Sequence, residues 1–392
     1  MKYKILLIII LILIFAALVY FFKFTLLNPN EFKKSISNLN PAKSTDQTSK
    51  NLESAEAVTV IAQNLDTPWA IAFLPDNSML VTERSGQVRF IDPAGNLDPA
   101  PIATISDARE IGEGGLLGIA VHPQFNTNNF VYFYYTFSET GGNTLNRVVR
   151  MKYMDGKLSG EEIILDKIPG AANHNGGRIK FGPDNLLYIG TGDAQNPSQA
   201  QNTNTLGGKI LRITDEGKIP QGNKFNNAVF SYGHRNVQGL AWDENSNLWA
   251  TEHGRSGVLS GLDEINLIEN GGNFGWPTIQ GNETRSGMIT SKKNSGSDTW
   301  APSGAAFLPA GRQGVDNSLF FSGLRGQALY EAVIENGNVT GFKEHFKGEF
   351  GRIREVILGP DGFLYITTSN RDGRGTPDST DDKVIRINPE KL

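Results

Sequence analysis

The 392-residue chain contains no cysteine. That excludes disulfides, thiolate metal sites, a cysteine nucleophile and covalently attached c-type haem. It does not fix the compartment. No long basic run occurs, and the net charge is only −4. An electrostatic footprint for nucleic acid is therefore missing, and no nucleic-acid partner is expected. Long amphipathic periods of helical spacing are also missing after Val58. Glycine, by contrast, is plentiful at 44 residues, which fits a chain of many tight turns.

Only one long hydrophobic run is present. Lys2 and Lys4 precede an uncharged stretch from Ile5 to Phe22, which Lys23 ends. At about 1.5 Å per residue, a helix of this length nearly crosses a hydrocarbon core. No small-x-small cleavage site follows it. Residues 1–24 are read as an uncleaved signal anchor, with cleavage near Ala16–Ala17 as the alternative. Lys23, Lys33 and Lys34 weigh against a simple assignment of orientation. Residues 25–57 are rich in Asn, Ser, Lys and Thr and bury too little to order themselves. They read as a flexible linker, which places residues 58–392 outside the cytoplasm, in the periplasm or at the cell surface.

A repeat then emerges. Trp69–Glu83, Gly177–Thr191, Gly239–Thr251 and Arg354–Thr368 each read as strand, turn, strand. Their turns are Pro-Asp-Asn, Pro-Asp-Gly or Asp-Glu-Asn, the chemistry of a hairpin tip. Weaker copies lie at Leu116–Phe137 and Ser303–Ser322. Six hairpins at roughly 55-residue spacing predict an all-β, six-bladed β-propeller. The stretch 281–300, of poor repeat match, is read as a long loop. Function is expected where loops from several blades converge on one mouth of the channel.

Three groups of residues stand just outside the repeated strands. His174 precedes one hairpin and Asp193 follows it, so their antiparallel strands bring them within hydrogen-bond reach. An imidazole oriented by a carboxylate suits a general base near neutral pH, although a pair that merely closes a blade has the same spacing. Arg235, Arg325, Arg352 and Arg354 stand at blade boundaries. If they converge they form a receptor for carboxylates; if not, they are separate surface ion pairs. Finally, Thr251–Gly257, Leu262–Asn266 and Gly271–Trp276 offer glycine-rich carbonyls with Asp263 and Glu264, oxygen ligands suited to calcium. Solvated loop carboxylates are the plainer reading.

Together, Leu65–Trp69, Gly114–Gly118, His174–Arg178, Gly233–Asn236, Asp263–Asn266, Asn273–Trp276 and Arg352–Arg354 resemble the soluble PQQ-dependent glucose dehydrogenases and aldose sugar dehydrogenases. The similarity runs from about Leu65 to Asn388. It implies oxidation of aldose sugars with pyrroloquinoline quinone (PQQ) and calcium as cofactors. In that scheme His174 takes the hydroxyl proton as hydride passes to the quinone, and Asp193 orients His174. Glu113, Arg235, Asn236, Thr299, Arg325, Arg352 and Arg354 are implied to contact the cofactor. The Gly254 and Arg255 carbonyls would bind the active-site calcium. Glu264 and the Phe274 carbonyl would bind a second one. A separate electron acceptor is implied, since the chain can carry no c-type haem.

The sequence also departs from the family pattern. Glu113 replaces a usual Gln, Arg255 a Pro and Arg325 a Lys. Asn173 stands where a glucose-oxidising relative has Asp, and segment 255–261 is longer. Glu113 and Arg255 favour an alternative, a non-catalytic ligand- or protein-binding propeller. A calcium-dependent propeller hydrolase is a third reading, but it would need a metal ringed by side-chain carboxylates.

Overall fold

The computed structural model describes residues 55–311 and 317–392. Within them six four-stranded antiparallel sheets follow one another around a channel. In chain order the first is β2 (Pro68–Phe73), β3 (Met79–Glu83), β4 (Gln87–Ile91) and β5 (Ala103–Thr104). The second is β6 (Leu116–Val121), β7 (Phe130–Ser138), β8 (Thr144–Met154) and β9 (Lys157–Pro169). The third is β10 (Ile179–Phe181), β11 (Leu187–Gly190), β12 (Lys209–Ile213) and β13 (Val229–Tyr232). The fourth is β14 (Val237–Trp242), β15 (Leu248–Glu252), β16 (Glu264–Ile268) and β17 (Lys293–Asn294). The fifth is β18 (Pro302–Leu308), β19 (Ser318–Gly323), β20 (Ala328–Glu335) and β21 (Asn338–His345).

The sixth blade is assembled from both ends of the propeller. β22 (Ile353–Leu358), β23 (Leu364–Thr368) and β24 (Val384–Ile387) are completed by β1 (Val58–Ala62), with Val58 opposite Ile387 and Val60 opposite Ile385. This closure removes the exposed edge that β24 would otherwise present. The stretch 281–300, expected to be all loop, contributes β17 as the outer strand of the fourth blade. The anchor and linker expected over residues 1–57 lie almost wholly outside the described residues. No described helix is long and apolar enough to cross a membrane.

All six sequence hairpins are the first two strands of a blade. Their turns close as the residue types require. Asp76 Oδ1 accepts from Ser78 N at 3.0 Å and Asp184 Oδ1 from Leu186 N at 3.2 Å. The next residue takes a left-handed backbone, at φ 70° for Asn77 and 59° for Asn185. Asn and Gly tolerate that conformation best.

First strands of neighbouring blades pack on each other around the channel. Apolar side chains such as Trp69, Leu80, Ile189, Leu240 and Ile366 fill the space within and between blades. The channel itself is crossed by charge. Arg178 of the third blade pairs with Glu355 of the sixth, and both side chains are about 2% exposed. Arg178 Nε also donates to the Gln238 carbonyl at 2.9 Å, and its guanidinium lies 4.3 Å from the Trp69 ring centroid. Lys180 reaches the Ala305 carbonyl at 2.8 Å. One polar plug thus ties together blades distant in sequence.

Candidate active site

Above that plug is a cavity of about 380 Å³. Every blade supplies a residue from the start of its first strand or just before it: Trp69, Glu113, Gly176, Gln238, Thr299 and Arg352. The loops after β15, β19 and β23 add His253–Gly257, Arg325 and Arg374. Loops at one end of the propeller therefore converge, as blade geometry requires.

His174 and Asp193 meet at this end. His174 Nδ1 lies 2.7 Å from Asp193 Oδ1. The loops that carry them touch directly, since Ala194 N donates to the His174 carbonyl at 3.1 Å. Gly192 is required here, because a Cβ at that position would collide with the same carbonyl. Asp193 is fully buried, whereas the His174 side chain is 17% exposed. With a carboxylate facing Nδ1, the proton resides on Nδ1 and Nε2 keeps its lone pair. His174 does not itself line the cavity, but its neighbours Asn175 and Gly176 do.

The arginines converge as well. Arg352 donates through Nε and Nη2 to Asp372 Oδ2, at 2.9 and 2.8 Å. Arg354 Nη2 stands 3.9 Å from the same oxygen, and its Nε is buried without a partner. Burial presses the Arg354 guanidinium down to about 9, with Asp372 opposing. It stays cationic at neutral pH and is undercompensated. Arg325 Nη1 and Thr299 Oγ1 share Ser260 Oγ, each at 3.1 Å.

Arg235 and Asn236 sit just behind the cavity wall. Arg235 Nη2 donates to Ser256 Oγ at 2.7 Å, and its carbonyl accepts from Asp193 N at 2.8 Å. Arg235 Nε, Asn236 Nδ2 and Arg255 Nε are further buried donors without partners. A buried unpaired donor costs about 1–3 kcal/mol. Of these residues Arg354 and Arg255 line the cavity and Arg235 and Asn236 do not, so a carboxylate-bearing ligand there would meet the guanidiniums of the first two.

Glu113 lines the cavity but is not free to meet a ligand. Its Oε2 accepts from His174 N at 3.1 Å and its Oε1 from Arg374 Nη1 at 2.8 Å. Burial opposes its ionisation, yet His253, Arg374 and the His174 N–H outweigh burial and hold it at about 2. Burial pushes His253 down to about 4, so at neutral pH the balancing cation is Arg374. Glu113 is therefore a carboxylate and cannot donate as an amide would. Arg374 Nη2 also reaches Asn173 Oδ1 at 3.2 Å, which links two of the departures from the family pattern, Glu113 and Asn173.

The calcium candidates divide. Asp263 is no free ligand: Oδ1 accepts from Gly254 N, and Oδ2 from Trp300 N and Ala301 N, at 2.7–2.8 Å. Gly254 and Arg255 line the cavity, so any calcium there would rest on their carbonyls. The Arg255 carbonyl already accepts from Gly261 N at 3.3 Å. No group of three or more His, Asp or Glu side chains able to hold a metal occurs among the described residues. Glu264 and Phe274 lie away from the cavity lining. Burial and the neighbouring Glu252 carboxylate push Glu264 up to about 8. A cation would relieve that pair, although both Glu264 oxygens already accept, Oε1 from Gly281 N at 2.8 Å and Oε2 from Asn266 Nδ2 at 3.2 Å.

Arg374, Asp372, Ser260, Gln238 and His253 are site residues that the repeat did not reveal. Arg374 and Asp372 follow the second strand of a hairpin, as Asp193 does, and that position was their available signal.

Six blades around a mouth that joins a His–Asp pair to clustered arginines place this chain among the propeller oxidoreductases. It belongs to the glucose/sorbosone dehydrogenase family, whose model matches residues 65–377. It is 32% identical to the aldose sugar dehydrogenase YliI of Escherichia coli, over 81% of this chain and 91% of that protein. It is 34% identical to quinoprotein glucose dehydrogenase B of Acinetobacter calcoaceticus, over 58% of this chain and 54% of that one. Among solved structures, the PQQ-bound aldose sugar dehydrogenase of Streptomyces coelicolor superposes with a TM-score of 0.76 at 36% identity, covering 84% and 97% of the two chains.

Proposed function

We propose that this protein oxidises aldose sugars to lactones with PQQ and calcium as resident cofactors. The observation that carries the reading is the cluster of arginines that lines the cavity, set beside the His174–Asp193 pair. PQQ is a planar tricarboxylate, and Arg352, Arg354 and Arg325 would hold it from the cavity wall, with Arg235 and Asn236 behind. When bound, it supplies the acceptor for the substrate's hydride. His174 Nε2 receives the hydroxyl proton of the sugar, and Asp193 stabilises the imidazolium that results. The Gly254 and Arg255 carbonyls would hold the calcium, which would supply a Lewis acid at the cavity. Glu264 and the Phe274 carbonyl would hold a second calcium, which would brace the 264–276 segment.

Residues 1–24 anchor the chain in the membrane, 25–57 tether it, and 58–392 work on the extracytoplasmic side. Electrons leave to a separate acceptor. The occupation of both Glu113 oxygens favours one rival, a binding module that has kept the fold and lost the cofactor.

Reconstitution tests the choice. The full chain, with calcium and PQQ, should reduce a dye when given an aldose. Arg354→Ala should lose PQQ binding, while His174→Ala should bind PQQ and not turn over. Absence of PQQ binding at millimolar calcium would transfer the assignment to the binding module.

A further inference from the structure

We infer that Trp276 is a positioning residue for the His174–Asp193 pair, fixing the carboxylate through its indole N–H. The inference rests on the reading of His174 as the proton acceptor. Asp193 is fully buried and both its oxygens are committed. Oδ1 accepts from His174 Nδ1 at 2.7 Å and from Gln195 N at 2.9 Å. Oδ2 accepts from Trp276 Nε1 at 2.9 Å. Held at Oδ1 alone, the carboxylate could tilt and take the imidazole with it. The indole closes the other end. It is a suitable clamp, because it donates only and does not ionise.

Trp276 is itself held in place. Its N donates to the Gly233 carbonyl at 2.9 Å, and its carbonyl accepts from Gln201 Nε2 at 2.7 Å. Gln201 in turn exchanges two hydrogen bonds with Asn273, at 3.0 and 2.9 Å. The Arg235 guanidinium lies 5.3 Å from the Trp276 ring centroid. One side chain therefore touches both the partner of the base and an arginine of the proposed cofactor site. The other charges near the pair are Glu113, bonded to His174 N, and Arg374 behind it.

A double-mutant cycle separates this role from packing. Trp276→Phe keeps a ring for Arg235, removes the donor and trims the side chain, and the cycle cancels the packing loss common to both backgrounds. In the holoenzyme it should lower kcat about 10- to 100-fold, the effect of losing one hydrogen bond to a charged group. Asp193→Asn should cost about 10⁴-fold, as in other His–Asp pairs. Its amide must turn an NH₂ toward either the indole N–H or the His174 and Gln195 donors. Removing the indole donor relieves that conflict. Trp276→Phe in the Asp193→Asn background should therefore raise kcat about tenfold, reversing the sign of its effect. Losses that multiply would overturn the inference.

The melting temperature of the cofactor-free chain gives a second readout. Trp276→Phe should cost less in the Asp193→Asn background than in the wild type, and equal costs would also overturn the inference. Turnover retained in His174→Ala would instead remove the reading beneath it, and the inference with it.

Discussion

Glu355→Gln removes a carboxylate that faces buried Arg178 and half-buried Lys180 at the centre of the ring. Arg178 is paired with it directly, and Lys180, pushed down to about 8 by burial, is supported by the same charge. The substitution preserves volume, so the loss is electrostatic. Lys180 can shed its proton, whereas Arg178 cannot. Breaking a buried pair from one side costs about 3–5 kcal/mol. The propeller spans residues 55–392. At about 2.1 cal/mol/K per residue, its unfolding entropy is about 0.7 kcal/mol/K, and the melting temperature should fall by about 4–7 °C. Scanning calorimetry of the full chain measures this. The combined change Arg178→Met with Glu355→Leu removes both charges and should recover most of the loss. A fall of less than about 1 °C in Glu355→Gln would show that water or another group compensates Arg178, and the plug would have no claim to hold the blades together.

Other residues give independent tests. Lys209 Nζ is buried against the carbonyls of Gln199, Ala200 and Gly207, at 2.7, 3.1 and 2.6 Å. Lys209→Met orphans the Gly207 carbonyl, while those of Gln199 and Ala200 keep Asn202 N at 3.0 Å and Gly233 N at 2.9 Å, and it should cost about 1–3 kcal/mol in urea unfolding. Glu113 is held from its ordinary 4.5 down to about 2, so its contribution to stability is present above pH 4.5 and lost as pH falls toward 2. Arg374→Ala removes part of that hold and should move the acid unfolding midpoint to higher pH, followed by tryptophan fluorescence. An unchanged midpoint would mean that the ion pair exerts no such hold. Calcium should raise the melting temperature of the wild type and have a smaller effect on Glu264→Gln; equal shifts would remove Glu264 from the metal site.

The propeller was legible because a blade hairpin is local. A strand pair and its Asp-Asn or Asp-Gly tip lie within about fifteen residues, so turn chemistry and alternation record it directly. Outer strands were harder to read. β17 is two residues long and carries almost no pattern. The β1–β24 closure joins Val58 to Ile387, a pairing that no local signal encodes. The His174–Asp193 contact was readable for the same reason as the hairpins, since one hairpin's ends adjoin.

The sequence by itself determined the blade count, the hairpin turns and the reach of His174 to Asp193, all set by short-range backbone preference. Tertiary structure alone decided which distant groups meet. It set Arg374 on Glu113 across 261 positions and Arg178 on Glu355 across 177. It also turned Asp263 from a supposed ligand into a clamp on three backbone N–H groups. Closing a ring fixes such neighbours by geometry, and partners chosen by ring closure leave no periodic trace in the chain.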